Sequence, residues 1–190
     1  MGGGSWDWRI MSAVAEHRTH LFNSLSYRVM ELGTSQEVLL GGALLCALLV
    51  IWRRAYRPAV AATASLLLAA ATVAVLKPII DRSRPPADLA LHHVGTPAFP
   101  SNHAAITSAT AVALLVAVRW GSPRRTIVAA VVLGGTVVFI GGCMVYLGAH
   151  WPTDIVAGWL LGSTIGGVVG LVARPRSRSG IDLRLPADPT

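Results

Sequence analysis

The chain alternates long apolar runs with short polar connections, and this pattern predicts helices throughout. Five runs consist mainly of Ala, Val, Leu, Ile and Gly. With their flanks each reaches about twenty residues, enough to cross a bilayer core about 30 Å thick. The predicted spans are 37–52, 60–75, 104–118, 126–147 and 155–173. We therefore expect an all-α fold, a polytopic membrane bundle with five transmembrane helices.

The first 35 residues follow a different pattern. Between Trp6 and Leu32, apolar residues recur at three- and four-residue spacing among charged ones. This spacing predicts one amphipathic helix, too polar to span comfortably, that lies in the membrane interface. His17 and His20 on it are expected to be surface residues. The chain thus divides into an interfacial segment (1–35), a transmembrane domain (36–174) and a polar cytoplasmic tail (175–190) predicted to be disordered.

Composition agrees with a membrane protein. The chain is 53% hydrophobic and only 13% charged, whereas soluble domains carry about 25% charged residues. The net charge of +7, from 16 basic and 9 acidic residues, would suggest nucleic acid as the partner of a soluble protein. Here the Arg residues cluster between apolar runs, so membrane topology and lipid head groups account for them and no nucleic-acid partner is expected.

Loop charges predict the orientation in the membrane. Alternate connections carry groups of Arg residues, and the positive-inside rule places such groups in the cytoplasm. The loops 81–101 and 148–153 then lie on the extracytoplasmic face of the cell membrane. If the N-terminal helix also spans, there are six crossings. The three Arg groups are Arg53, Arg54 and Arg57; Arg119, Arg124 and Arg125; and Arg174, Arg176 and Arg178.

The last span carries a stripe of small residues. Gly158, Gly162, Gly166 and Gly170 follow one another at steps of four, which lets a neighbouring helix approach closely. We expect this stripe to hold the start of the span rigidly. It is also a candidate surface for a homo-oligomer, provided that the face is not used within the chain.

Three polar clusters lie on the predicted outer face. The first contains Lys77, Arg82 and Arg84, and the second is Pro100-Ser101-Asn102-His103. Ser101 is a predicted N-cap, so the helix that follows offers N–H groups to an anion. The third cluster places His150 four residues before Asp154, with Thr153 as the expected cap of the last span. A carboxylate beside an imidazole makes it a better base or nucleophile. Together the clusters favour binding of an anion with several oxygens, and phosphoryl transfer.

These motifs resemble those of the type 2 phosphatidic acid phosphatase (PAP2) superfamily of membrane lipid phosphatases. The family motif K-x6-R-P matches Lys77 through Arg84-Pro85, and P-S-G-H matches residues 100–103 with Asn in place of Gly. The motif S-R-x5-H-x3-D matches His150 and Asp154. The resemblance covers residues 36–173 and implies a six-helix PAP2-like core.

The resemblance also implies residue roles. His150, oriented by Asp154, is the nucleophile that forms a phosphohistidine, and His103 protonates the leaving oxygen and then activates water. No metal or other cofactor is expected, because cationic side chains offset the phosphate charge. The implied phosphate-binding residues are Lys77, Arg84, Arg82, Ser101 and Asn102.

One departure affects the third motif. The family's Ser-Arg corresponds to Cys143-Met144 here, which removes a charge-assisted hydrogen bond worth about 1.5–3 kcal/mol. Arg82 is expected to replace the missing donor, because it lies two residues before Arg84 and is free to swing. At Asn102 the change is milder, since that position offers mainly its backbone N–H.

The favoured function is hydrolysis of a polyprenyl-linked phosphate of cell-envelope synthesis, with the lipid phosphate and the bilayer as partners. Phosphatidate or phosphatidylglycerol phosphate is an alternative substrate. A catalytically impaired protein that binds lipid phosphates is an alternative of another class. A haloperoxidase that uses bound vanadate is disfavoured, because the vanadium haloperoxidases, which share this site, are much larger and soluble. A channel is disfavoured because the charges gather at one end of the spans.

Overall fold

The computed structural model describes residues 2–34, 56–92, 95 and 97–174. Within these ranges the chain forms six helices and no strand. The prediction of an all-α fold is confirmed for this part of the chain. The helices are α1 (Ser5–Glu16), α2 (His20–Thr34), α3 (Tyr56–Ile80), α4 (Asn102–Ala117), α5 (Pro123–Tyr146) and α6 (Pro152–Ala173).

Three of these helices are long and apolar enough to cross a membrane. They are α3, α5 and α6, with 25, 24 and 22 residues, whereas α4 is apolar but has 16. Each of the four contains one of the predicted spans or coincides with it to within three residues. The predicted span 37–52 and the tail 175–190 lie outside the described residues, so the count of five transmembrane helices stays a prediction.

Helix α6 packs directly on α4 through its Gly stripe. All four stripe residues are buried, and a Cβ atom at Gly162 would lie 2.1 Å from the Ala105 carbonyl oxygen. At Gly166 a Cβ atom would lie 2.2 Å from the Ala109 carbonyl oxygen, and at Gly170 it would lie 2.9 Å from Val116 Cβ. Only a residue without a side chain allows this separation. The face is therefore used within the chain, and the condition for a homo-oligomer through it is not met.

The N-terminal segment forms two helices, so the prediction of one continuous helix is wrong. Helix α1 ends where the His17 N–H bonds the Val14 carbonyl, and α2 begins at His20. Between them Arg18 donates hydrogen bonds to the Tyr146 carbonyl (3.0 Å) and the Leu89 carbonyl (2.7 Å). These long-range bonds favour the break over a further helical turn. His17 and His20 are exposed, as predicted.

The connections that carry the polar clusters meet at one end of the bundle. Helices α3 and α5 end there, and α4 and α6 begin there. The Ser101 N–H donates to the Asp154 carbonyl (3.1 Å), and the Trp151 indole N–H donates to the Ser83 carbonyl (2.9 Å). These bonds join the three clusters. The described Arg residues of the predicted cytoplasmic groups lie at the opposite helix ends: Arg57, Arg119, Arg124, Arg125 and Arg174.

The turn between α5 and α6 depends on Gly148. Its φ of +72° lies in the left-handed region, and a Cβ atom there would lie 2.3 Å from the Leu89 carbonyl oxygen. The close approach lets the Leu91 N–H donate to the Leu147 carbonyl (2.9 Å). Gly148 therefore fixes the loop after α3 against the segment that carries His150.

Candidate active site

His150 and Asp154 lie at the start of α6, at the centre of the polar end. Trp151 is the N-cap of this helix, and its N–H donates to Oδ2 of Asp154 (2.9 Å). Asp154 is completely buried and His150 is 4% exposed. His150 Nδ1 lies 3.5 Å from the same Oδ2, beyond the usual 2.7–3.2 Å for a hydrogen bond. The first turn of α6 thus places the carboxylate against the imidazole without closing the bond.

Arg84 contacts the other ring nitrogen of His150. One guanidinium nitrogen donates to His150 Nε2 (3.2 Å) and also to the Ala149 carbonyl. A guanidinium can only donate, so Nε2 accepts. In the neutral ring the proton is therefore assigned to Nδ1, which faces Asp154. Nε2 keeps its lone pair and points to a cation suited to a phosphoryl oxygen.

The surroundings keep the His150 ring neutral. The pKa of His150 is lowered to about 4, and burial is the largest cause. Asp154 opposes this shift, whereas the charges of Arg84 and Lys77 add to it. The separation of 3.5 Å makes the contribution of Asp154 a weak one in this arrangement. At neutral pH the imidazole is consequently unprotonated, as a nucleophile requires.

The second cluster opens α4 beside this pair. Ser101 is the N-cap, as predicted, and its Oγ lies 3.5 Å from the backbone nitrogen of Ala104, a long cap contact. The N–H groups of Asn102 and His103 in the first turn have no acceptor within the helix. Lys77 and Arg84 are near enough to act on the charge of His103. The structure thus brings His103 and a helix N-terminus to the same cationic region as His150.

Lys77 lies in the last turn of α3 and is partly buried. Its Nζ donates to the Pro97 carbonyl (2.9 Å), and the Ala98 N–H donates to the Arg82 carbonyl (2.8 Å). These bonds place the loop before α4 against residues 77–84. Lys77 at the end of α3 and Arg84 in the loop that follows it therefore supply positive charge close to the two His residues of the site.

Arg82 is not free to swing, so that part of the expectation is wrong, and its contact with a phosphate stays a prediction. Its guanidinium forms ion pairs with Asp154 Oδ1 (2.6 Å) and Asp7 Oδ2 (2.7 Å). The rings of Phe99 and Trp151 lie 5.9 and 6.0 Å from its Cζ. Two carboxylates and two aromatic rings thus hold Arg82 behind Asp154.

Comparison with known proteins covers the segment that carries these residues. The family model described as the PAP2 superfamily matches residues 58–178, more than half of the chain. The chain belongs to the PAP2 superfamily. All three motif clusters lie within the matched range.

Named relatives are 33% identical to this PAP2 chain over the aligned segments. An undecaprenyl-diphosphatase of Sulfolobus acidocaldarius is 33% identical over 63% of this chain and 57% of its own length. A decaprenylphosphoryl-5-phosphoribose phosphatase of Mycobacterium tuberculosis is 33% identical over 62% and 63%. The matches thus span about three fifths of these relatives.

Two solved structures share the fold. The PAP2-type phosphatidylglycerolphosphate phosphatase of Bacillus subtilis superposes with a TM-score of 0.75, at 24% identity over 87% of this chain and 83% of its own. LpxE of Aquifex aeolicus gives a TM-score of 0.67, at 21% identity over 90% and 95%. The PAP2 membrane-phosphatase fold therefore applies to most of the chain.

Sequence reasoning missed Asp7, which α1 brings to this PAP2 site. Asp7 is 1% exposed. Its oxygens accept from the Thr153 N–H (3.0 Å), the Thr153 hydroxyl (2.8 Å) and the Gly4 N–H (3.1 Å). The expectation that Thr153 caps α6 is wrong, since Trp151 is the cap and Asp7 caps the Thr153 N–H. The available sign was an acidic residue placed between two Trp residues, Trp6 and Trp8.

The position of the missing third-motif Arg is part of an apolar cluster. Met144 is 2% exposed and packs with Cys143, Ala104 and Ile155, while Val29 and Met30 of α2 cover it. In this PAP2 chain, buried apolar side chains thus occupy the position where the family motif has an Arg.

Metal-binding geometry is absent from the part of the chain that the structure describes, where no group of three His, Cys, Asp or Glu side chains could hold an ion. Independence from metals stays a prediction.

Proposed function

We propose that the protein is an integral-membrane phosphatase that hydrolyses the phosphomonoester or diphosphate of a lipid through a phosphohistidine. The observation that carries this proposal is the contact between Arg84 and His150 Nε2, at 3.2 Å. A phosphoryl oxygen bound to Arg84 would bring phosphorus next to the lone pair of Nε2. Such positioning, with charge to match, is the main contribution of proteins to phosphoryl transfer.

The proposed reaction has two displacements. His150 Nε2 forms a bond to phosphorus while the bond to the leaving oxygen breaks, and that oxygen takes a proton from His103. Asp154 stabilises the positive charge that develops on the imidazole. A water molecule then gives its proton to His103 and attacks phosphorus, and the electron pair of the P–N bond returns to Nε2.

The phosphoryl oxygens would be bound by groups of opposite charge and by backbone donors. Lys77 and Arg84 supply the charge, and the N–H groups at the start of α4, after the Ser101 cap, supply donors. Arg82 is occupied by two carboxylates, so we assign it no phosphate oxygen.

The proposed substrate is a polyprenyl-linked phosphate of cell-envelope synthesis. Support comes from the relatives named as undecaprenyl-diphosphatase and decaprenylphosphoryl-5-phosphoribose phosphatase. Three apolar helices long enough to span a membrane keep the site near a bilayer surface. The Arg residues at the opposite end favour an extracytoplasmic site in the cell membrane, with α1 at the outer surface.

Phosphate release by the purified protein tests this proposal. The panel contains a polyprenyl diphosphate, a polyprenyl-phosphoryl sugar phosphate, phosphatidate and phosphatidylglycerol phosphate. We expect fastest release from a polyprenyl substrate, and a loss of about a thousandfold or more in His150→Ala. His17→Ala is the matched control, because His17 is exposed at the end of α1. Equal release by His150→Ala and wild type would refute the nucleophile assignment.

A second candidate function is lipid-phosphate binding without turnover, which the burial of Met144 in an apolar cluster favours. The same panel separates the two functions. If wild type and His150→Ala both bind lipid phosphates and neither releases phosphate, the binding function is correct.

A further inference from the structure

The carboxylate that orients His150 is itself held from behind. Asp154 Oδ2 accepts from the Trp151 N–H (2.9 Å) and faces His150, while Oδ1 accepts from Arg82 (2.6 Å). Because Asp154 is completely buried, water cannot replace either donor. The rotation of this carboxylate, and hence the oxygen presented to the imidazole, depends on Arg82.

Arg82 is in turn held by α1. Its second terminal nitrogen donates to Asp7 Oδ2 (2.7 Å), and its first also donates to the Thr153 hydroxyl (2.7 Å). That hydroxyl donates onward to Asp7 (2.8 Å). Arg82, Thr153 and Asp7 thus close a ring of hydrogen bonds, and Arg82 extends it to Asp154. All of these bonds are charge-assisted and therefore stronger than neutral ones. The fork of a guanidinium can bridge two carboxylates in this way, whereas an ammonium is a point charge.

The position of Asp7 is fixed by the docking of α1 on the start of α6. Trp8 packs on Trp151 with ring centroids 5.3 Å apart, and a Cβ atom at Gly3 would lie 2.6 Å from the Trp151 ring. Burial raises the pKa of Asp7, but hydrogen bonds from Thr153, Arg82 and Gly4 outweigh this and lower the pKa below its ordinary value. Asp7 is therefore an anion that completes the charge pairing of Arg82.

We propose that Arg82 and Asp7 are positioning residues, through which α1 sets the orientation of Asp154 toward His150. The inference rests on the proposed phosphatase function. In this proposal Arg82 positions the Asp154 carboxylate, and of the two Arg residues only Arg84 binds phosphate. The N-terminal helix thereby also has a part in the reaction.

Steady-state kinetics on the best substrate of the lipid panel tests this inference. Arg82→Gln and Asp7→Asn should each lower kcat by about tenfold to a hundredfold, because small misplacements of reacting groups have effects of this size. KM should stay within about twofold, since neither residue contacts the phosphate. Glu16→Gln, an exposed carboxylate on the same helix, is the matched control and should behave as wild type.

The double variant Asp7→Asn/Arg82→Gln provides a second criterion. If the two residues act as one unit, it should lose no more activity than the stronger single variant. Losses that multiply would overturn the proposal. Asp7→Glu keeps the carboxylate and should recover part of the kcat lost in Asp7→Asn. If Asp7→Asn is too unstable to purify, Arg82→Lys replaces it in the test. Lys keeps the positive charge but lacks the guanidinium that bridges the two carboxylates.

The outcomes separate the inference from the proposed function. If wild type is active and Arg82→Gln raises KM while Asp7→Asn is silent, Arg82 binds phosphate and the positioning role is wrong. If Arg82→Gln and Asp7→Asn both match wild type in kcat, the positioning role is also wrong, and the phosphatase function stands. The same holds if Arg82→Lys, used in place of Asp7→Asn, matches wild type. If wild type releases phosphate from no lipid, both proposals fall.

Discussion

Two neighbouring Gly residues on α6 allow a direct test of the contact between α4 and α6. A Cβ atom at Gly166 would lie 2.2 Å from the Ala109 carbonyl oxygen, whereas at Gly167 its nearest neighbour would be Val112 Cγ1 at 4.0 Å. The substitutions Gly166→Ala and Gly167→Ala are chemically identical and lie on the same helix. They differ only in what the added methyl group meets.

The structure sets the size of the expected effect. Ordinary contact begins at 3.4 Å, so in Gly166→Ala the two helix backbones must separate by about 1 Å. Overpacking of this kind costs about 1–3 kcal/mol. For a chain of this length each kcal/mol shifts Tm by about 2–4 °C, and Tm should therefore fall by about 2–12 °C. Gly167→Ala should keep or raise Tm, because Ala favours a helix over Gly by up to about 1 kcal/mol.

Activity should follow the same division. Helix α4 carries His103 and α6 begins beside His150, so a separation of about 1 Å between them misplaces the proposed acid relative to the nucleophile and lowers kcat by up to about a hundredfold. Thermal unfolding in detergent and phosphate release from the best lipid substrate provide the measurements. If Gly166→Ala matches Gly167→Ala in both, the close contact does not hold the site together.

Three further predictions concern stability. His150 has a pKa of about 4 in the folded protein against an ordinary value of 6.5. Between these pH values the unfolded chain binds a proton at His150 that the folded protein does not bind, so Tm should fall as the pH drops from 6.5 toward 4. The variant His150→Gln should flatten this pH dependence of Tm. Ser101→Ala removes the N-cap of α4 and should lower the free energy of unfolding by about 1 kcal/mol, measured by thermal unfolding. Ser101→Thr keeps a capping oxygen and should retain most of that stability. Gly148→Ala places a Cβ 2.3 Å from the Leu89 carbonyl at a φ of +72° and should lower both Tm and phosphate release; unchanged values would mean that this turn tolerates a side chain.

Local pattern was sufficient for the apolar helices in the described part of the chain and for the Ser101 cap. A long uncharged run such as that of α5 has one stable form in a membrane, because its backbone must bond internally. A Ser before such a run offers the oxygen that a first helical turn needs. These features depend on neighbours in sequence, and so they could be read from sequence.

The roles of Arg82, Asp7 and the 17–19 break depend on contacts between distant segments. Asp7 lies 75 residues from Arg82 and 146 from Thr153, and periodicity carries no information about such pairs. The break before α2 arises where Arg18 bonds the carbonyls of Leu89 and Tyr146. Tertiary contacts of this kind override local helix propensity.

The gathering of the polar clusters at one end of the bundle has a consequence for how the lipid phosphate of a membrane would be consumed. With the proposed function and orientation, the protein would reach head groups in one leaflet only, since α3, α5 and α6 would separate its polar end from the other surface. In a sealed vesicle with all copies oriented alike, hydrolysis would slow once the accessible leaflet is exhausted. From then on the rate would follow the passage of lipid between leaflets, and turnover would report lipid translocation rather than the chemistry at His150.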